Sequence, residues 1–153
     1  MEKITKASDN LLKFIEKFEG LCLKPYKCSA GVPTIGFGST YYENGNKVTM
    51  NDPAINKVRA YELLRNTLTQ YEKNVDSYCI DLINQNQFDA LVSFAYNCGS
   101  NALKSSTLLK KVNINPKDPL IKKEFLKWVF AAGKKIKGLE NRRNAEIDLY
   151  FKI

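Results

Sequence analysis

The feature that most constrains the fold is an apolar segment in the middle of the chain that leaves little polar face. It opens at Asn84 and Gln87, whose spacing resembles a capping box at the start of a helix. Gly99 is a typical residue for the end of such a helix. A helix that is apolar on most sides is buried, so we expect this one to be central. Its apolar residues are Phe88, Ala90, Leu91, Val92, Phe94, Ala95 and Cys98.

The segment of about residues 21–50 is expected to be extended, because helical periodicity fails there. Glycines and prolines interrupt short β-prone pieces such as residues 32–35 and 40–42. Asn44 followed by Gly45 is a hairpin signal. These residues are therefore predicted to form a small antiparallel sheet.

Amphipathic helices are predicted on both sides of this segment. The first is capped by Ser8 or Asp9 and stopped by Gly20. A long helix then begins with Asp52 as N-cap and Pro53 as its first residue. The apolar stripe of the long helix is formed by Val58, Tyr61, Leu64, Leu68 and Tyr71.

Further helices are predicted over about residues 106–112, 119–131 and 139–151. A basic loop lies between Gly133 and Gly138. These elements predict an α+β fold, and 153 residues are enough for one domain with a real core.

We expect a single domain over residues 1–153. A β lobe of about 21–50 packs in it beside a larger helical lobe of about 1–20 and 51–153. No apolar run approaches the roughly 18 residues that span a bilayer, so no membrane insertion is expected. The first residues turn polar at once, which predicts a soluble chain without a secretion signal of its own.

Two absences narrow the chemistry. The chain has no histidine, which excludes histidine bases, Ser-His-Asp and Cys-His systems and histidine metal sites. Its four cysteines form no CxxC pair, which argues against structural zinc. Three disulfide pairings are conceivable, but a cytosolic chain usually keeps thiols, and most are expected to be small buried hydrophobes. The cysteines are Cys22, Cys28, Cys79 and Cys98.

The net charge of +8 is unevenly distributed. Residues 103–153 hold 13 basic and 5 acidic side chains, whereas the preceding residues are balanced. One interpretation is a solvated face that only keeps the chain soluble. The other is attraction to a polyanion such as nucleic acid, an anionic membrane or a cell-wall polymer.

Without histidine, acid–base chemistry falls to carboxylates, cysteine, tyrosine or lysine. Glu19 follows Phe18 at the end of the first helix, where the chain turns into the extended segment. Apolar neighbours favour the protonated form of a carboxyl group, which suits a general acid. The alternative is an ordinary surface glutamate in a last helical turn.

The residues after Glu19 carry a family resemblance. The segment from Glu19 to Gly38 (EGLCLKPYKCSAGVPTIGFG) resembles the active-site segment of the bacteriophage lysozymes, or endolysins, of glycoside hydrolase family 24. That family shows Glu, eight residues, Asp or Cys, five residues and Thr. Residues 87–99 (QFDALVSFAYNCG) and the following Ser106-Thr107-Leu108-Leu109 resemble later family segments. The C-terminal match consists of Gly133-Lys134, Gly138-Leu139, Arg142-Arg143 and Ala145-Glu146.

The resemblance, which covers roughly residues 8–151, implies a lysozyme-like fold with a cleft between its two lobes. It assigns Glu19 as the general acid, Cys28 as the group that assists a water or stabilises the developing positive charge, and Thr34 as a residue that holds the water. Many members carry Asp where this chain has Cys28. A mostly neutral thiol is a weaker electrostatic partner than Asp, so Cys28 could also be a spectator.

Two further features have open interpretations. Arg142 or Arg143 could reach the cleft and orient Glu19 or the glycan, or could form a surface salt bridge with Glu146. The single tryptophan, Trp128, is expected in the core rather than as a platform for a sugar ring.

The resemblance implies a muramidase that hydrolyses the β-1,4 bond between N-acetylmuramic acid and N-acetylglucosamine in peptidoglycan, with inversion and without a cofactor or metal. Its basic C-terminal third would aid docking on the wall. We expect a monomer that stays in the host cytoplasm until a holin-type lesion releases it, with no specific nucleic-acid partner. The alternative is a non-catalytic lysozyme-fold protein that binds wall polymer or nucleic acid.

Overall fold

The computed structural model describes residues 2–80 and 83–153. The elements in chain order are α1 (Asp9–Phe18), β1 (Cys22–Lys27), β2 (Pro33–Gly36), α2 (Lys57–Tyr78), α3 (Gln85–Cys98), α4 (Ser100–Ser105), α5 (Thr107–Ile114), α6 (Ile121–Phe125), β3 (Phe130–Ala131), β4 (Lys134–Lys135) and α7 (Lys137–Tyr150). This is the predicted α+β composition. Among the described residues, no helix combines the length and the apolar character that a membrane crossing requires.

The chain divides into two compact units. The sheet unit contains Asp9–Thr69, and the helical unit contains the residues up to Ser8 together with Gln70–Ile153. Helix α2 contributes its first turns to the sheet unit and its last turns to the helical unit.

The sheet unit is built around the antiparallel pair β1 and β2. Tyr26 lies opposite Thr34 in this pair, and Cys22 lies opposite Gly36, with an irregular register between them. Gly36 has φ +69°, and a Cβ at this position would lie 3.3 Å from Cβ of Ala60 on α2. Glycine therefore supplies both the backbone conformation and the space that let the sheet contact α2.

The long helix begins four residues later than predicted. The carboxylate of Asp52 does not cap it, because it accepts hydrogen bonds from the Thr49 backbone and side chain and from the Tyr42 hydroxyl. Asn56 takes the cap position instead and accepts from the Arg59 backbone at 2.8 Å. Val58, predicted on the apolar stripe, is 68% exposed. The buried stripe contains Ala60, Leu63, Leu64, Leu68 and Val75.

The helical unit contains the predicted buried helix. In α3 both hydrogen bonds of the capping box between Asn84 and Gln87 are present. Every residue from Gln87 to Ala95 is buried, and α3 packs along α7. Phe94 contacts Phe125 edge to face at 6.0 Å between ring centroids. These contacts confirm the prediction made from the apolar segment.

Several local predictions are wrong. The helix expected over 119–131 ends at Phe125, and a hairpin of β3 and β4 follows. Its loop residues, Ala132 and Gly133, both have positive φ (52° and 78°), which is the geometry of a tight two-residue turn. Residues 40–42 form only an isolated bridge between Tyr41 and Lys47. Helix α4 was not predicted. All four cysteines are free thiols, and Cys79 alone among them is buried.

Candidate active site

Glu19 lies directly after α1 and continues its last turn. Its backbone N–H donates to the Ile15 carbonyl at 2.9 Å, and its side chain is half-buried. Ile15 is fully buried, and the rings of Phe14 and Phe18 stack at a centroid distance of 5.2 Å. Glu19 therefore follows the apolar last turn of α1, and its role as the general acid stays a prediction.

Glu16, a second carboxylate on α1, is held by an ion pair and a hydrogen bond. Glu16 forms an ion pair with Lys57 at 2.8 Å and accepts a hydrogen bond from the Tyr61 hydroxyl. The hydrogen bonds from Lys57 and Tyr61 hold the pKa of Glu16 below its ordinary value. A carboxylate that is held ionised cannot serve as a proton donor near neutral pH. Of these two groups, Glu19 is therefore the candidate acid.

Cys28 and Thr34 are brought together by the loop between β1 and β2. The Cys28 N–H donates to the Val32 carbonyl at 3.0 Å, and the Gly31 N–H donates to the Cys28 carbonyl at 2.8 Å. Thr34 is 3% exposed, and its Oγ1 donates to the Val32 carbonyl at 2.9 Å. This bond uses the hydroxyl proton and leaves the lone pairs of Oγ1 as acceptors.

The environment of Cys28 favours its thiolate. Hydrogen bonds from the backbone of Val32 and Ala30 lower the pKa of the Cys28 thiol. The group is half-buried, so solvent and a substrate can reach it. A thiolate is the form that can accept a proton.

Tyr26 is a site residue that the spacing of the other three does not indicate. Because it lies opposite Thr34, their side chains project from the same face of the sheet. Burial, followed by the negative charges of Cys22, Glu19 and Cys28, raises the pKa of the Tyr26 phenol. The available signal was its position in the strand that ends one residue before Cys28.

Arg142 and Arg143 lie on α7 in the helical unit. Arg143 Nε is 2.8 Å from Glu146 Oε1, and Arg142 Nε is 3.5 Å from Glu146 Oε2. Ser93 donates to Glu146 at 2.6 Å. The salt bridge expected at the surface is therefore buried, since all three charged residues are at most 3% exposed. Burial raises the pKa of Glu146, and the guanidinium of Arg143 opposes it.

The two arginines differ in their further contacts. Arg143 donates to Asn97 Oδ1 at 2.6 Å and to the Cys98 sulfur, and its guanidinium lies over the Phe94 ring. Arg142 contacts the Ser93 carbonyl and hydroxyl at 3.4 Å. Arg143 is thus fixed within the core of the helical unit. A role of either arginine in orienting Glu19 stays a prediction.

Trp128 is only half-buried, which corrects the expectation of a core residue. Its ring contacts Phe94 edge to face at 5.4 Å. It also lines two surface depressions of about 320 and 260 Å³, together with Lys127 in both. The first is also lined by Ser105, Ser106, Thr107 and Glu124, and the second by Asn97, Cys98, Phe130 and Leu139. This ring is therefore available for contact with a ligand.

Within the described residues, no group of three or more cysteine, aspartate or glutamate side chains is arranged to hold a metal ion. The chemistry available to the sheet unit is that of a carboxyl group, a thiol with a lowered pKa, a hydroxyl and a phenol. This set can donate a proton at one point and bind or deprotonate a water at another.

Comparison with known proteins gives consistent matches. The phage lysozyme family matches residues 16–146. The endolysin of Bacillus phage B103 is 40% identical over 148 residues, which cover 97% of this chain and 54% of that protein. The endolysin of Acyrthosiphon pisum secondary endosymbiont phage 1 is 36% identical, with 94% and 96% covered. This chain thus spans about half the length of the Bacillus phage relatives.

A solved structure of a P22 lysozyme mutant superposes with a TM-score of 0.87 at 33% identity. The match covers 97% of this chain and all of that one. The lysozyme-like fold is therefore confirmed.

Proposed function

Because the chain belongs to the phage lysozyme family, we propose that it is an endolysin of glycoside hydrolase family 24. The proposed reaction is hydrolysis of the β-1,4 bond between N-acetylmuramic acid and N-acetylglucosamine in peptidoglycan, which lyses the host cell. The endolysin relatives support this activity. The observation that carries it is that Cys28 and Thr34 both hydrogen-bond to Val32, in the compact unit that also contains Glu19.

In the proposed mechanism, Glu19 protonates the leaving glycosidic oxygen. Its position directly after α1 and its half-buried side chain support this role. The ion-paired Glu16 is the less suitable donor. Positive charge then develops at the anomeric carbon as the bond breaks.

Cys28 and Thr34 bind the attacking water on the opposite face of the sugar. The lone pairs of Thr34 accept a hydrogen bond from this water, and the Cys28 thiolate takes its proton as the new C–O bond forms. The products are the inverted anomer, a Glu19 carboxylate and a neutral Cys28 thiol, and proton exchange with solvent restores both groups. Inverting enzymes place such groups about 6.5–9.5 Å apart to admit the water.

The test measures new reducing ends on purified peptidoglycan with the wild type, Glu19→Gln and Glu16→Gln. We expect Glu19→Gln to lose about a thousandfold in rate while its circular dichroism spectrum is unchanged. Glu16→Gln is the matched control and retains activity within a few fold. Wild-type rates for Glu19→Gln would overturn the assignment, and NMR of fresh product establishes the anomer.

Binding of peptidoglycan by the wild-type chain without new reducing ends would support the alternative of a non-catalytic wall-binding protein. Release to the wall through a holin-type lesion and action as a monomer stay predictions of the same proposal.

A further inference from the structure

A separate cavity of about 450 Å³ lies in the helical unit. It is formed by the start of α3, the turn before α6 and the end of α7. Two lysines, Lys117 and Lys152, line it together with the amides Asn84 and Gln87. Its volume lies in the range of pockets that take small ligands. None of its lining residues belongs to the sheet unit.

The cavity is electropositive. Lys117 and Lys152 are exposed, and neither forms an ion pair with any residue in the described ranges 2–80 and 83–153. Lys122 adds a third ammonium group, 5.1 Å from the centroid of the Phe151 ring at the cavity wall. Among the described residues that line the cavity, two side chains are cationic and none is acidic. An anionic group is therefore the charged ligand that this site can accept.

The two amides add hydrogen-bond donors. Asn84 Oδ1 accepts from the Gln87 N–H at 2.8 Å, and Gln87 Oε1 accepts from the Asn84 N–H at 2.9 Å. The capping box thus occupies both amide oxygens and fixes which end of each amide is the nitrogen. The group that Asn84 offers to a ligand is its Nδ2 donor, which adds to the positive charge of the lysines.

The opposite wall is aromatic and held in place. The Tyr150 hydroxyl donates to the Pro116 carbonyl at 2.7 Å, and Tyr150 and Phe151 pack edge to face at 4.9 Å. A rigid ring surface beside cations suits a ligand that carries C–H groups next to its negative charge. An inorganic anion would bind the lysines without contacting these aromatic rings.

We propose that this cavity is an exosite for a phosphodiester-linked polyol or sugar chain of the bacterial wall. Lysine is a point-charge binder of phosphate, and the absence of arginine from the lining disfavours bidentate carboxylate recognition. A cavity of about 450 Å³ suits one or two repeat units, whereas a nucleic-acid strand needs an extended groove. The exosite rests on the proposed function, since it holds the enzyme on the wall that it cleaves.

The test titrates a glycerol-phosphate hexamer into the wild type, Lys117→Gln/Lys152→Gln and Lys73→Gln/Lys110→Gln. The control pair removes the same charge from exposed lysines of the helical unit that do not line the cavity. We expect the cavity variant to bind about tenfold more weakly or worse, with the control within twofold of the wild type. NMR shift changes should centre on Asn84, Gln87 and Phe151.

Equal losses of affinity in the two double variants would contradict the proposed site, because they would show that binding depends only on the net charge of the protein. Tighter binding of an oligogalacturonate or a single-stranded oligonucleotide than of the hexamer would overturn the assigned ligand. The hexamer contains no glycosidic bond, so this result is independent of catalysis. A failed exosite leaves the Glu19→Gln result intact, and a failed muramidase assay leaves the binding result intact.

On native walls, Lys117→Gln/Lys152→Gln should lyse more slowly than the control pair. On peptidoglycan stripped of its phosphate polymer, the two should have equal rates. A difference that persists on stripped peptidoglycan would contradict the exosite.

Discussion

In the sheet unit, the groups of the candidate site are half-exposed or backbone-bonded and lie within one short stretch, from Glu19 to Thr34. In the helical unit, Arg142, Arg143 and Glu146 of α7 are buried, and the two arginines contact residues of α3 that are 45 or more positions away. The first arrangement leaves polar atoms open to a substrate, whereas the second uses them within the protein. Substitutions in the sheet unit should therefore change the rate of the reaction, and those in the helical unit should change the free energy of unfolding.

The largest expected effect is that of Glu146→Ala on stability. It leaves two guanidinium groups buried without their carboxylate, which costs about 3–5 kcal/mol. Urea unfolding measures the change, with Asp148→Ala, an exposed position on the same helix, as the control. A loss of unfolding free energy below about 1 kcal/mol would contradict the proposed difference between the two units.

A second prediction uses two buried threonines of the sheet unit. Thr34→Val keeps the side-chain shape but removes the hydroxyl proposed to hold water, so kcat on peptidoglycan should fall about a hundredfold. Thr67→Val is the matched control, because Thr67 is also buried and donates to a main-chain carbonyl, that of Leu63, at 2.9 Å. Both variants lose a hydrogen bond to a main-chain carbonyl, and Thr67→Val also loses the 3.4 Å contact with Ser39, so the control should lose at least as much stability, about 1 kcal/mol or more. Equal activities would show that Thr34 is only structural.

The same comparison explains which features of the fold and of the candidate site could be predicted from the sequence. The closeness of Cys28 and Thr34 follows from the short loop between β1 and β2, in which both hydrogen-bond to Val32, whereas the role of Glu19 beside them stays a prediction. The capping box of α3 is local in the same way. The partners of Arg143 could not be predicted, since Asn97 and Cys98 meet it only through packing of α3 on α7.

Other predictions from the sequence were wrong for local reasons. Asp52 before proline is a good helix cap, but its carboxylate accepts hydrogen bonds from Thr49 and Tyr42, which precede it in the chain. The hairpin strands are two residues long, too short to give a period of two. Trp128 lies in an apolar stretch, but α6 ends at Phe125, before Trp128 is reached.

The third prediction compares thiols of the two units. The pKa of Cys28 is below that of an ordinary thiol, because backbone hydrogen bonds stabilise its thiolate. Burial raises the pKa of Cys79 to about 11 and also raises that of Cys98. Since the thiolate is the nucleophile, iodoacetamide at pH 8 should modify Cys28 before these two. At that pH about one in a thousand Cys79 groups is ionised.

Mass spectrometry of timed samples follows this order, and lysis should fall in step with modification of Cys28. The Cys28→Ser variant controls for reaction elsewhere. Faster modification of Cys79 or Cys98 would contradict the proposed thiolate.

The smallest expected effect concerns Trp128, where the helical unit offers a surface rather than a buried network. If glycan contacts the exposed part of the ring, Trp128→Ala should raise KM about fivefold with kcat nearly unchanged, because aromatic contacts contribute about 0.5–1.5 kcal/mol. Trp128→Phe keeps a ring against Phe94 and should lose less. Trp128 is the sole tryptophan of the chain, so its fluorescence reports binding directly. A muropeptide titration of Glu19→Gln that leaves the emission unchanged would assign the ring to packing alone.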